Sequence, residues 1–401
     1  MRVLVAGGGT GGHVVPSLAV IEALEKKDPG VEILYVGSKG GIENKIIPKI
    51  GIPFSAIETG KWRRYHKSTA INILNPKTLP PNLLDVAKAV KGVAQAIKII
   101  KKFDPNSIFI KGGYVGLPVG IAAKILGYPF VIHESDAVPG LTNKILSKWA
   151  EYTLVSYPEE TYEGIFEKGK LIYTGTPVRE DLLSGDMSRG FKTFKLDENI
   201  PTVLVIGGSQ GSRALNNTVL SALEDLLYKY QIIHITGELD YDKIEYRASK
   251  LPHDLKDKYR VRNFLSADLK DAYSVSSLVV SRAGNNVLAE LAALGKPSIL
   301  VPLPSSVKEH QHENALIYTR NGAAYLLEEA NLNPRSLKRQ IDYLFEHREE
   351  LSHMSARAKD LYKKGASELI VEKLLEIKIH KKKEKEVEKH GVLSGKKKRK
   401  E

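Results

Sequence analysis

Twice in this chain, about two hundred residues apart, a short β-branched run ends in a glycine-rich turn and passes into a helical pattern. The two stretches are Val3-Leu-Val-Ala-Gly-Gly-Gly-Thr-Gly-Gly12 and Val203-Leu-Val-Ile-Gly-Gly-Ser-Gln-Gly-Ser212. A strand that feeds a helix through a tight turn opens a crossover unit, and crossover units build parallel sheets. Two such openings predict two parallel α/β sheets. After the first turn Leu18, Ile21 and Leu24 recur at helical spacing, Asp28-Pro29-Gly30 stops the helix, and residues 31–36 read as the next strand. After the second, residues 215–230 read as a helix and 231–236 as a strand. Further strand-like runs lie at 107–111, 130–133, 153–156, 278–281 and 298–301. We read domains at 1–176 and 177–354 and a basic tail at 378–401.

The length of 401 residues suits about two or three domains. With 42% hydrophobic residues the chain can fill real cores, which excludes a mainly disordered polypeptide. There is no cysteine, so a disulfide framework, a zinc–thiolate site and a cysteine nucleophile are all excluded. The most apolar long stretch, residues 112–132, is punctuated by five glycines, Pro118, Lys124 and Pro129. That suits a strand–turn–helix unit better than a membrane span of about 20 residues. No apolar leader precedes the first strand, and a soluble cytoplasmic protein is expected. Net charge is +13, and the last 24 residues hold eleven Lys/Arg against four Glu. Such a tail suits a solvated end, an anionic membrane surface or a nucleic-acid patch. Without interleaved aromatics it offers no platform for base stacking.

Gly7-x-Gly9-x-x-Gly12 formally matches a dinucleotide fingerprint, but the second strand ends Tyr35-Val36-Gly37-Ser38 and lacks the ribose-binding acid. Neither turn ends in the Gly-Lys-Ser/Thr of a nucleoside-triphosphate loop. What remains is general: glycines let backbone N–H groups approach an oxyanion, and a helix N-terminus adds partial positive charge. Gly207-Gly-Ser-Gln-Gly211 suits a diphosphate on these grounds; the alternative is that the glycines only make tight turns.

Taken in order, the motifs resemble the MurG glycosyltransferase family over about residues 3–370. They are Gly8-Gly-Thr-Gly-Gly-His13, Gly60-Lys-Trp-Arg-Arg-Tyr65, Gly112-Gly-Tyr114, His133-Glu134, Gly140-Leu-Thr-Asn143 and Thr174-Gly-Thr-Pro-Val-Arg179. Gly207-Gly-Ser-Gln-Gly211, Ser281-Arg-Ala-Gly284, Glu290, and His310-Gln311 with Asn314-Ala315 complete the series. The resemblance implies an α/β protein of GT-B fold, two Rossmann-like domains with parallel sheets facing a central cleft, and a helix over 355–377 that returns to the first domain. It also implies inverting transfer of GlcNAc from UDP-GlcNAc to lipid I, forming lipid II, with no cofactor and no metal.

By the same resemblance, Phe264 and Leu265 would border the uracil and Glu290 would accept the ribose hydroxyls. Arg179, Ser209 and Gln210 would hold the diphosphate, and Gln311 the GlcNAc hydroxyls. His13 would be the general base, with Glu134 the second catalytic candidate. Thr10, Gly11, Gly12, Tyr114 and Asp136 would line the acceptor side. A histidine suits the base because its ordinary pKa near ~6.5 lets it accept a proton at neutral pH. Residues 60–92, with Trp62, Arg63, Arg64 and Tyr65, would recognise the acceptor. Implied partners are UDP-GlcNAc, lipid I, an anionic membrane surface on the cytoplasmic face and other cell-wall synthesis proteins; nucleic acid is not expected.

The chain departs from the family pattern at Ser135 and Asp136, where Gln and Asn are usual, at Thr176, and at Asn285 and Val287. Asp136 replaces an amide with an acid that only accepts hydrogen bonds when ionised. Two other functions stay open at this point: a GT-B transferase with another lipid or glycan acceptor, and a non-catalytic adaptor binding nucleotide sugar or nucleic acid.

Overall fold

In the computed structural model the described residues are 1–9, 11–60, 79–208, 211–304 and 310–377, with side chains in the helix that begins at Leu79 described from Asp85 onward. The chain divides into two compact units: Met1–Pro177 rejoined by the chain from Gly365, and Val178–Lys364.

The first unit holds seven strands: β1 (Arg2–Ala6), β2 (Glu32–Ser38), β3 (Phe54–Ile57), β4 (Ser107–Ile110), β5 (Phe130–Glu134), β6 (Tyr152–Val155) and β7 (Leu171–Tyr173). They form one sheet in the order β3-β2-β1-β4-β5-β6-β7, every pairing parallel. Its helices include α1 (Gly11–Lys27), α2 (Glu43–Ile46), α3 (Leu79–Phe103), α4 (Gly113–Leu126) and α5 (Leu141–Leu146). The period-2 alternation of a strand sends its side chains to opposite faces. Val3 and Val5 join a core with Leu24 of α1 and with Ile370, Leu374 and Ile377 of a final helix, residues 366–377. Leu4 and Ala6 join the opposite core with Ile100 of α3 and Val115, Val119 and Ala122 of α4. Both faces are covered, which is why β1 reads as an unbroken apolar run.

The second unit repeats the plan with β8 (Thr202–Ile206), β9 (Gln231–Ile235), β10 (Tyr259–Arg262), β11 (Leu278–Ser281), β12 (Ser298–Leu300) and β13 (Ala324–Leu326). Their order is β10-β9-β8-β11-β12-β13, again parallel throughout. The helices are α6 (Met187–Phe194), α7 (Arg213–Leu227), α8 (Tyr241–Ser249), α9 (His253–Lys256), α10 (Leu269–Val275), α11 (Asn285–Leu294), α12 (His310–Arg320), α13 (Pro334–Glu346) and α14 (Arg348–Asp360).

The continuous helix expected over residues 355–377 is corrected: α14 ends at Asp360, and Gly365, at φ +81°, precedes a separate helix over 366–377. A left-handed glycine cannot continue a right-handed helix. Residues 355–364 therefore stay with the second unit, where Ser355 Oγ donates to the Gly295 carbonyl at 2.7 Å. Among the described residues no helix is long and apolar enough to cross a membrane.

Candidate active site

In open parallel sheets, ligand sites form beyond the carboxyl ends of the strands. The two glycine turns occupy equivalent places there. Gly7 N–H donates to Val36 O and Gly207 N–H to Ile235 O, both at 3.3 Å. The loops after the fourth strands also match: Lys111 N–H donates to Ala6 O at 2.8 Å, and Arg282 N–H to Ile206 O at 3.3 Å.

In the first unit this end of the sheet gathers His13, Tyr114, Glu134 and Asp136, with Gly11 and Gly12 opening α1. Thr10 lies outside the described residues, as do 61–78 and the side chains of 79–84, so most of the expected acceptor segment does too. A Cβ at Gly113, which has φ +71°, would stand 2.9 Å from His13 Nε2; glycine there lets the imidazole lie against the turn that opens α4. His13 is half-buried. Burial, and then the charge of Lys111, push its pKa down to about 4, while Asp136 and Glu43 pull the other way. It is unprotonated at neutral pH and can accept a proton.

Glu134 is buried, and its two oxygens serve its own loop. Oε1 accepts from Asp136 N–H at 3.0 Å, and Oε2 from Gly140 N–H at 2.8 Å and Asn143 Nδ2 at 2.9 Å. Burial, and then the charge of Asp136, raise its pKa against the pull of the Asp136 and Gly140 N–H groups and of Lys111. This bonding suits a residue that shapes the loop from 134 to 143. Lys111, 2% exposed, donates from Nζ to Ser135 Oγ and faces the charges of Glu134 and Asp136. The two departures at 135 and 136 thus sit against a buried cation.

In the second unit, Ser212 caps α7 by accepting from Leu215 N–H at 3.4 Å. Ser209 and Gln210 lie outside the described residues. Among the described residues, nothing stands within 4 Å of a Cβ placed at Gly208, which has φ +87°, or at Gly284, which precedes α11. Glu290 is half-buried on α11 and accepts from the Tyr273 hydroxyl at 2.8 Å. Burial pushes its carboxyl up to about 7, against the pull of Tyr273 and Arg179. Arg179 faces it while gripping Asp181 at 2.9 and 2.5 Å. After β10, Leu265 is buried and Phe264 is 60% exposed. Gln311, in the first turn of α12, accepts through Oε1 from Leu303 N–H at 2.9 Å.

Arg179 and Glu290 are brought together. Phe264, Leu265 and Gln311 follow other strands at the same end of that sheet. Among the described residues no group of three or more His, Asp or Glu is arranged to hold a metal. Asp240 is taken by Asn216 Nδ2 at 2.9 Å and Arg213 at 3.5 Å, and His312 by Glu328 at 2.8 Å.

Sequence reasoning missed Lys111 and Glu43. Lys111 has a twin in Arg282, which is also buried and donates to Val301 O at 3.1 Å and Pro302 O at 3.2 Å while pairing with Glu329. Aligning residues 110–114 with 281–285 is the signal that could have found it.

Two Rossmann-like units, each with a glycine turn at the carboxyl end of a parallel sheet, make the GT-B fold. Residues 3–155 match the glycosyltransferase family 28 N-terminal domain, and residues 202–397 the family 28 C-terminal domain. A UDP-N-acetylglucosamine–N-acetylmuramyl-(pentapeptide) pyrophosphoryl-undecaprenol N-acetylglucosamine transferase of Clostridium botulinum is 38% identical, covering 92% of this chain and 98% of the relative. The transferase of that name from Natranaerobius thermophilus is 37% identical, covering 94% and 100%. The crystal structure of Acinetobacter baumannii MurG superposes with a TM-score of 0.70 at 27% identity, covering 94% of this chain and 99% of that one. The chain belongs to the MurG transferases of glycosyltransferase family 28.

Proposed function

We propose that this protein moves N-acetylglucosamine from UDP-GlcNAc to lipid I (undecaprenyl-diphosphoryl-MurNAc-pentapeptide), releasing UDP and forming lipid II. The observation that carries the proposal is the match to transferases of that name over 98–100% of their length. The second unit takes the donor: Glu290 accepts from the ribose hydroxyls, Phe264 and Leu265 border the uracil, and Gln311 meets the sugar. Arg179, Ser209, Gln210 and the N-terminus of α7 bind the diphosphate. The first unit takes the acceptor.

An acceptor hydroxyl attacks the anomeric carbon as His13 accepts its proton. The bond from that carbon to the diphosphate oxygen breaks with inversion, and UDP leaves with the electron pair. Charge developing on the diphosphate is stabilised by Arg179 and backbone N–H groups. Glu134, its oxygens held by three donors, positions the loop that carries Asp136.

We place the enzyme peripherally on the cytoplasmic face of the cell membrane, against anionic lipid and beside other cell-wall synthesis proteins. The cationic composition of residues 378–401 and the lipid-linked acceptor support this reading. UDP release from UDP-GlcNAc with and without a soluble lipid I analogue tests the transfer. Acceptor-dependent release, reduced at least about 100-fold in His13→Ala, is expected. Release that ignores the acceptor would overturn the proposal, and full activity in the variant would remove His13 as base.

A further inference from the structure

β12 runs out into Val301-Pro-Leu-Pro304, and two prolines in four residues leave that stretch little freedom. Each proline fixes its own φ, and each holds the residue before it extended. An extended run of this kind makes no hydrogen bonds within itself, so its carbonyls and N–H groups need partners from elsewhere. Arg282, 7% exposed just beyond β11, supplies them on one side. Its Nη1 donates to Val301 O at 3.1 Å and Pro302 O at 3.2 Å, and its Nη2 to the carboxylate of Glu329, which follows β13. The planar guanidinium thus ties together the chain beyond β11, β12 and β13 through one fork of donors.

The next residue carries this fixed geometry outward. Leu303 N–H donates to Oε1 of Gln311, which is half-buried in the first turn of α12, at 2.9 Å. A backbone N–H can only donate. The carbonyl end of the Gln311 carboxamide therefore faces the loop, and the N–H2 end is turned away from it.

We infer that Arg282, with Glu329, is a positioning residue of the donor site. Through the loop 301–303 it holds the Gln311 carboxamide so that the N–H2 group, and not the carbonyl, meets the sugar and donates to a hydroxyl oxygen of it. The inference rests on the reading that Gln311 meets the N-acetylglucosamine, and adds which end of the amide does so and what keeps it there.

The test uses the full-length protein, calorimetry with UDP and with UDP-GlcNAc, and the variants Gln311→Ala, Arg282→Lys and their double. Lysine keeps the charge opposite Glu329 but lacks the fork. Gln311→Ala and Arg282→Lys each weaken UDP-GlcNAc binding about tenfold, the worth of one hydrogen bond, while UDP binding stays within about twofold. The double variant is no worse than the poorer single. Equal losses for UDP and UDP-GlcNAc in Arg282→Lys, or effects that multiply in the double variant, would overturn the inference. Analogues in which each sugar hydroxyl in turn becomes hydrogen or fluorine read the polarity. Fluorine accepts a hydrogen bond and cannot donate one, so at one position it binds more tightly than hydrogen, and Gln311→Ala abolishes that advantage. The lack of any such position would overturn the assignment of the N–H2 end.

A readout without ligand separates the positioning role from the donor reading. In protein carrying 15N-labelled glutamine, the side-chain amide signal missing from Gln311→Ala moves in Arg282→Lys. It moves also in Leu303→Pro, which removes the N–H at an exposed position between two prolines. A signal that stays in place in either would overturn the role of Arg282. If Arg282→Lys fails to fold, Glu329→Ala, which leaves the guanidinium one anchor short, carries both readouts. Wild-type protein that binds neither UDP nor UDP-GlcNAc would sink the donor reading instead, and the amide signal would still decide whether Arg282 holds Gln311.

Discussion

His13 and Glu290 both titrate away from their ordinary ranges, and the two shifts bear on different steps. His13 lies low, at about 4, because it is buried and faces the Lys111 cation. The acid limb of kcat/KM should therefore fall well below the usual histidine range. Lys111→Met removes a charge that lowers His13, so the limb should move up in pH; Asp136→Asn removes a charge that raises it, so the limb should move down. A pH–rate profile of the three enzymes checks this, and limbs that coincide would take the base role from His13. Glu290 lies high, at about 7, chiefly from burial. If it accepts the ribose hydroxyls as proposed, its ionised form binds them best, so affinity for UDP-GlcNAc should rise from pH 6 to pH 8. Calorimetry should show that rise in the wild type and a flat profile in Glu290→Gln. His13 and Glu290 enter as candidates through the family resemblance, because each sits in or beside one of its glycine signatures. Glu43 and Lys111 could not, because their importance comes from strands that are neighbours in the sheet and distant in the chain.

The elements that pattern reasoning found are the interior ones. Every interior strand shows an apolar run, because interior strands of a doubly covered parallel sheet are buried on both faces. The four strands it missed, β3, β7, β10 and β13, all lie at sheet edges. They run only three or four residues and carry half-buried or exposed positions, as edge strands do. The helix expected over 355–377 failed for a different reason: its apolar spacing continues past the break, and only Gly365 marks the stop. Glycine placement also makes a prediction about the first turn. Beneath it Glu43 is wholly buried in a cage of three donors, Gly9 N–H at 2.9 Å and Ser38 N–H and Oγ at 2.8 and 2.7 Å. Gly8→Ala pushes a methyl group against this carboxylate and should lower stability by about 1–3 kcal/mol. Gly40→Ala, where a Cβ meets nothing within 4 Å, should stay within about 0.5 kcal/mol. Urea denaturation of both variants checks the pair; equal losses would mean the cage around Glu43 yields easily.

At the scale of the whole molecule, the repeated strand-and-glycine opening made the two-sheet plan legible, since the strand that feeds such a turn, β1 or β8, is the first of its unit in the chain and stands third in the order of its sheet. Charge is a separate matter. The tail holds +7 of the +13 within 24 residues, leaving +6 for the 377 residues before it. Truncation after Ile377 should weaken binding to anionic vesicles while leaving turnover on a soluble acceptor unchanged. Cosedimentation with vesicles of graded anionic lipid measures this, and equal binding by both forms would remove the tail from the membrane contact. The most direct measurement is the product itself: UDP-GlcNAc and a soluble lipid I analogue incubated with the enzyme, with mass spectrometry for the product and NMR for the new anomeric centre. The account predicts one added GlcNAc in the β configuration, formed with one equivalent of UDP. An unmodified acceptor, or an α linkage, would contradict it.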